Sequence, residues 1–310
     1  MKAKTLKKKS KHLQNFTGLT VKQYESLCKA VEVKLGEKKE AVISKRKRAV
    51  GGGRKADLSV EDQVLVVLMY YRLYVTQILL GYLFELDDSN ISRLIKKIRP
   101  IMLEVLPLPV EERTLFAEKR EGIKRINTLE KLLERHPEIN EVMIDATEQE
   151  TYKPQDKHAR KERYSGKKKC HSFKTQIVAS TEGLILHITD ALPGKVSDIT
   201  VLRGTGVLHD LPKDMPIHMD KGYDGIQNDF PDHHFVQPAK ARRNKPLNFL
   251  DNCFNTLKNS WRVPVENCFA HLQRFKCLAG IYRGSKEDYT PTFRLISGLH
   301  NYRKLDSLTW

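Results

Sequence analysis

Three acidic residues stand where a carboxylate can do chemistry. Asp145 follows the apolar run Val142-Met-Ile144, Asp220 follows Ile217-His-Met219, and Glu266 falls in a helical pattern with apolar positions at Val265, Phe269, Leu272 and Phe275. A carboxylate beside an apolar strand is costly to bury without a partner, and a divalent cation is one such partner. Carboxylate oxygens are hard ligands suited to Mg²⁺ or Mn²⁺. No Cys/His cluster of the kind zinc takes is present: the nearest pair, Cys268 and His271, reads as core packing. Two acids at neighbouring strand ends plus a third from a helix can hold two metal ions ~3.5 to 4 Å apart. Such a pair activates a water or hydroxyl and stabilises the leaving oxygen in phosphoryl transfer.

The elements that must position these acids are legible downstream of Pro137. Extended runs cover 141–147, 170–180, 183–190, 216–220 and 234–238, a helical signal falls at 199–208, and helices dominate from Leu250 onward. Strands followed by helices, with one helix crossing between strands, indicate a mixed sheet in an α/β layer.

Upstream the period changes to 3.6. Thr20-Val-Lys-Gln23 reads as a capping box opening an amphipathic helix with Val21, Tyr24, Leu27, Cys28, Val31 and Leu35 on one face. Ser59-Val-Glu-Asp62 opens a second helix, 75–84 is a short third, and after an acidic turn at 85–88 Ser89 opens the last, with Ile91, Leu94, Ile95 and Ile98 facing inward. A tight turn before the last helix makes a helix-turn-helix, the alternative being a plain three-helix bundle with a solvated charged face. On the opposite face of the last helix stand Ser89, Asn90, Arg93, Lys96 and Lys97. Asn and Arg can make bidentate contacts to adenine and guanine, whereas lysines suit phosphate.

Charge points to the same partner. Lys plus Arg outnumber Asp plus Glu by 55 to 38, a net +17, which favours a polyanion over a small neutral substrate. The first 56 residues carry +13 of it, in Lys2 to Lys11 and in Ser44-Lys-Arg-Lys-Arg-Ala-Val-Gly-Gly-Gly-Arg-Lys55. The first run is too charged to pack and is expected to be mobile or ordered by DNA. The second, with Arg46, Arg48, Arg54 and Lys55, is either a strip lying along a minor groove or a linker. Two further clusters, 153–169 with Lys167, Lys168 and Lys169, and Lys240 to Lys245 with Arg242 and Arg243, fall on loops beside the acids. The longest apolar stretch, Val64 to Tyr71, is far short of the ~20 residues a membrane helix needs, and no signal peptide is evident. Five widely spaced cysteines suit a reducing compartment. A cytoplasmic, DNA-associated protein is expected, divided into an arm with helix and linker (1–56), a helix-turn-helix domain (57–106), a helical connector (107–140) and a catalytic domain (141–310).

Asp145-Ala-Thr-Glu148, Asp220-Lys-Gly-Tyr223 and Arg262-Val-Pro-Val-Glu266-Asn-x-Phe269 resemble the three acidic motifs of the DDE transposases of bacterial insertion sequences, the DDE superfamily endonuclease group. Leu58-Ser-Val-Glu-Asp62 and Ser89-Asn-Ile-Ser-Arg93 are similar to that group's N-terminal helix-turn-helix, and the resemblance runs in order over residues 15 to 305. It implies an RNase H-like mixed sheet flanked by helices, preceded by an all-α DNA-binding domain. It further implies that Asp145 on the first strand, Asp220 on the fourth and Glu266 on a following helix are the catalytic residues and bind two Mg²⁺ (or Mn²⁺) ions. The implied substrate is double-stranded DNA, cut at the element's terminal inverted repeats and joined to target DNA by a homo-oligomer, most simply a dimer. Gly222 would let backbone approach DNA, and Arg262 would meet a phosphate or orient Glu266. Where the related pattern has a lysine seven residues after the glutamate, this chain has Gln273, and Ser197-Asp198 replaces a common His-Asp, Asp198 reading as a helix cap. Two other outcomes remain open at this level: a non-catalytic DNA-binding regulator, and a nuclease of the same fold that does not join ends.

Overall fold

A computed structural model describes residues 1–44, 58–111, 128–239, 241, 247, 249–250, 254–255 and 263–309. Arg46, Arg48, Arg54, Lys55, Arg242, Arg243 and Arg262 lie outside these. The chain divides into two compact units, one of residues 1–107 with 274–277 and 301–310, the other of 108–273 with 278–300.

The first unit is helical: α1 (Ala3–Lys7), α2 (Ser10–Thr17), α3 (Val21–Ser44), α4 (Val60–Leu73), α5 (Gln77–Phe84) and α6 (Asp88–Val105). The expectation of a mobile basic arm is not met. Ala3, Leu6 and Leu13, spaced among the lysines, are buried, while Lys2, Lys4, Lys8, Lys9 and Lys11 remain exposed. Enough apolar surface thus lies on one side of α1 and α2 to offset the ordering cost. Lys7 turns inward to Glu61 (2.8 Å) and Glu25 (3.1 Å), and its hydrogen bond to Glu61 chiefly raises its pKa. The backbone N–H of Ala3 donates to Asp62 Oδ1 at 2.7 Å.

Both capping signals are realised. Gln23 N–H donates to Thr20 Oγ1 (3.3 Å) and Thr20 N–H to Gln23 Oε1 (3.2 Å), a reciprocal box; Asp62 N–H donates to Ser59 Oγ (3.1 Å). The last helix begins one residue earlier than expected, with Asp87 at its N-cap position rather than Ser89 opening it. Between α5 and α6, Glu85 takes φ 58° and Leu86 N–H donates to Gly81 O at 2.9 Å. A Cβ on Gly81 would stand 2.4 Å from Leu86 O, so the tight turn requires glycine there.

The second unit is mixed α/β. Its strands are β1 (Val110–Glu111), β2 (Val142–Glu150), β3 (Tyr164–Ser165), β4 (Cys170–Ser180), β5 (Ile185–Ile188), β6 (Leu192–Pro193), β7 (Ile217–Met219) and β8 (Phe235–Val236). The sheet order is β1-β5-β4-β2-β7-β8, with β3 and β6 paired to β4. β4 is antiparallel to both β2 and β5, whereas β7 is parallel to β2 and β8 to β7. The helices are α7 (Leu129–Arg135), α8 (Lys157–Arg163), α9 (Asp198–Gly204), α10 (Ile226–Asp229), α11 (Val263–Leu272) and α12 (Lys286–Leu305). β4 is nearly all buried because it is the strand covered on both faces and paired along both edges. No described helix is long and apolar enough to cross a membrane.

His187 on β5 is buried, and its Nδ1 meets no hydrogen-bond partner among the described residues. Burial alone lowers its pKa from 6.5 to about 4. Above pH 6.5 the folded and unfolded chains are both neutral at this site. Below it the unfolded chain takes a proton that the native state refuses, so stability falls as pH drops toward 4, by about 3 kcal/mol in all. Urea unfolding across this range checks it: His187→Leu should flatten the decline, and an unchanged slope would show that other groups govern it.

Candidate active site

The register of β2 against β7 places the first two acids. The strands pair in parallel at Val142 with Ile217, Met143 with His218 and Ile144 with Met219, and the next residue on each is Asp145 and Asp220. Neighbouring strands lie ~4.8 Å apart and matched positions on parallel strands share a face, so the pairing carries Asp145 and Asp220 to the next position past the matched segment. Both are half-buried. Each accepts a hydrogen bond from the following backbone N–H: Ala146 to Asp145 Oδ1 (2.8 Å), and Lys221 to Asp220 Oδ1. Asp220 caps a single 3₁₀ turn, Lys221–Tyr223. Asp145, however, is not at a strand end. β2 continues to Glu150 because β4 pairs with it as far as Glu150–Ser172, long after β7 has turned away.

Alternation along β2 sends Asp145, Thr147 and Gln149 to one face. A small cavity on that face is lined by Thr147 and Gln149 from β2 and by Phe269 and Leu272 from α11. Val265, Cys268 and Leu272 are the buried face of α11, Cys268 Sγ donating to Gly183 O at 3.4 Å, which makes the Cys268/His271 pair a packing feature. Glu266 lies one turn before Phe269 and is exposed in the first turn of the helix. The fold therefore pairs the strands that lead to Asp145 and Asp220, and brings Glu266 on a helix packed against β2 and β4. It does not close the three into a cluster: among the described residues no three His, Cys, Asp or Glu side chains are gathered closely enough to hold a metal ion. The donor set, carboxylate oxygens without sulfur or imidazole, fits a hard divalent cation. Gln273 is exposed just beyond the end of α11.

The other face of the sheet carries a feature that sequence reasoning missed. Lys174 on β4, paired in register with Glu148, is buried, and its ammonium lies 3.4 Å from Glu148 Oε1 and 2.7 Å from Asp198 Oδ1. It also donates to Val196 O at 2.6 Å. Asp198 is not the helix cap: Ser197 caps α9 through Thr200 N–H, and Asp198 turns to the lysine instead. Nor does Gly222 face open space, for a Cβ there would meet Asp198 Oδ2 at 3.2 Å. Tyr223 is fully buried, its hydroxyl donating to Gln176 Oε1 at 3.2 Å. A single lysine inside β4, between Phe173 and Thr175-Gln176, looks like any surface cation in sequence.

On α6, Ser89, Asn90, Arg93, Lys96 and Lys97 are all exposed, opposite buried Ile91, Ile95 and Ile98. Arg93 Nη1 donates to Asn90 Oδ1 at 3.0 Å, holding the two base-reading candidates together. Lys167, Lys168 and Lys169 are exposed at the tip of the β3–β4 hairpin, with Lys169 at φ 59°. The segment before them is the helix α8 rather than a plain loop.

Residues 144–301 match the DDE superfamily endonuclease family, and residues 56–108 match the helix-turn-helix of DDE superfamily endonuclease. The chain belongs to that family, a group of nuclease-type enzymes that are generally dependent on divalent metal. A probable transposase for insertion sequence element IS702 of Microchaete diplosiphon is 27 % identical over 264 residues, covering 85 % of this chain and 87 % of the relative. No solved structure matches the chain.

Tyr223→Phe should cost about 1 to 2 kcal/mol by removing the donor to buried Gln176 Oε1, measured by urea unfolding. An unchanged midpoint would mean that this hydrogen bond does not hold the turn.

Proposed function

We propose that the chain is a metal-dependent DNA transposase that binds the terminal inverted repeats of its element, cuts the phosphodiester at their ends and joins the freed 3′ end to target DNA. The observation that carries this is the parallel pairing of β2 and β7, whose next residues are Asp145 and Asp220, within a segment matching the endonuclease family. The name of the Microchaete relative, a transposase for an insertion sequence, supports the same reading. So does the sheet: of the strands β2, β4, β5 and β7, Asp145 lies on the first and Asp220 ends the fourth, as in an RNase H-like fold.

In this reading Asp145, Asp220 and Glu266 hold two Mg²⁺ or Mn²⁺ ions. The ions supply an activated water or 3′ hydroxyl and stabilise the leaving oxygen. Glu266 completes the set when α11 turns its exposed carboxylate toward the aspartates on DNA binding. Ser89, Asn90 and Arg93 read bases from the major groove, while Lys96 and Lys97 grip phosphate. Lys167, Lys168 and Lys169 add backbone contacts from the hairpin tip, and Arg46, Arg48, Arg54, Lys55, Arg242, Arg243 and Arg262 contribute the rest of the cationic track. DNA reading is assigned to 57–106 and chemistry to 141–310, with a basic arm, amphipathic helix and Gly-rich linker at 1–56 and a connector at 107–140, in a dimer that holds two ends.

Purified protein with Mg²⁺ should nick a duplex carrying its element's end, and Asp220→Asn should abolish nicking while binding the same duplex normally. Equal cleavage by the variant would overturn the assignment. A pre-cleaved end should yield strand-transfer product; cleavage without it would leave a nuclease. Arg93→Ala should relax preference at one base pair by ~1 to 3 kcal/mol, read from competition binding against point-substituted repeats. Unchanged discrimination would place base reading elsewhere.

A further inference from the structure

Buried charge needs a reason, and Lys174, Glu148 and Asp198 are 6 %, 7 % and 22 % exposed at their side chains. One cation between two carboxylates fixes all three groups, since moving any of them strands a charge away from water. Ser172 Oγ further donates to Glu148 Oε2 at 3.0 Å, anchoring the far end of the cluster to β4. The near end is Asp198. Its Oδ1 is tied to the lysine, and its Oδ2 lies against Gly222, the middle residue of the turn that Asp220 caps. Tyr223, the next residue, is anchored in the core through Gln176, a neighbour of Lys174 on β4. The turn is thus gripped at two consecutive residues from the sheet face opposite Asp145.

We propose that the Lys174–Glu148–Asp198 cluster is a positioning device: it seats the Lys221–Tyr223 turn and thereby holds the Asp220 carboxylate level with Asp145. This rests on the reading of Asp220 as a catalytic residue. Lys174 and Asp198 touch neither DNA nor metal in this account; they act through Gly222. An error of about an ångström in the placement of a reacting group costs on the order of 100-fold in rate.

The test uses Asp198→Asn, which keeps the side chain's size and leaves Lys174 paired with Glu148, and Gly222→Ala, which pushes on the pinned carboxylate. The assay is Mn²⁺-dependent nicking of supercoiled plasmid by the full chain, with Mn²⁺ binding followed separately by its paramagnetic resonance signal. Each variant should nick at least about tenfold more slowly and bind Mn²⁺ more weakly, with plasmid binding unchanged and thermal midpoint close to that of the parent. Because both changes act on one contact, the double variant should lose less than the product of the two single losses. Wild-type nicking and Mn²⁺ binding by Asp198→Asn, with Asp220→Asn inactive, would overturn the positioning role. So would a rate loss that only tracks a fall in the folded fraction. If Asp220→Asn itself nicks normally, the underlying site assignment fails instead.

Discussion

Three parallel pairings between β2 and β7 fix the arrangement of Asp145 and Asp220 in the second unit. A shift of one residue would send Asp220 to the opposite face of the sheet from Asp145, because side chains alternate with a period of two. The register is held on both sides by apolar residues with no freedom to slip: Val142, Met143, Ile144, Ile217 and Met219 are all buried. The long antiparallel pairing of β2 with β4 then fixes β2 itself, and the cluster around Lys174 hangs from that same pair of strands. The acids are consequently placed by backbone pairing, which is stiff, while the third acid comes from a helix end, which is not.

Much of this was readable from residue order, for definite physical reasons. Cys170 to Ser180 matches β4 residue for residue: its β-branched, aromatic and apolar residues Phe173, Thr175, Ile177 and Val178 carry a strand signal that turn residues bound, Gly166 before it and Gly183 after it. Thr20 with Gln23 and Ser59 with Asp62 mark real helix starts because capping is a local hydrogen bond that needs no tertiary context. The five exposed residues on α6 followed from helical periodicity alone. The failures share a cause: each depended on a partner distant in sequence. Lys7 looked too solvated to pack until Glu25 and Glu61 met it. Asp198 looked like a cap because its real partner, Lys174, is 24 residues away. The short strands β1, β3 and β6 carry no pattern of their own and exist only through the edges they join.

The chain's cations are used in two opposite ways. Most stay in water, where their long-range field attracts a polyanion and where each exposed ion pair contributes little to folding. Lys7 and Lys174 are exceptions, drawn inward by paired carboxylates and serving architecture rather than attraction. Counting charge gives the affinity for nucleic acid and misses this second role, since a net figure weighs a buried lysine and a solvated one alike.

The first unit draws residues from both ends of the chain. Tyr302 hydroxyl donates to Gln23 O at 2.8 Å, Asn301 Nδ2 to Pro107 O at 3.2 Å, and the Arg72 guanidinium lies 5.0 Å from the centre of the Phe275 ring. The packing around the helix-turn-helix is thus completed by segments 274–277 and 301–309, which come after most of the second unit in chain order. A fragment that stops before residue 274 therefore lacks part of the packing of its own first unit, and cutting the chain between the two units cannot yield the first one whole.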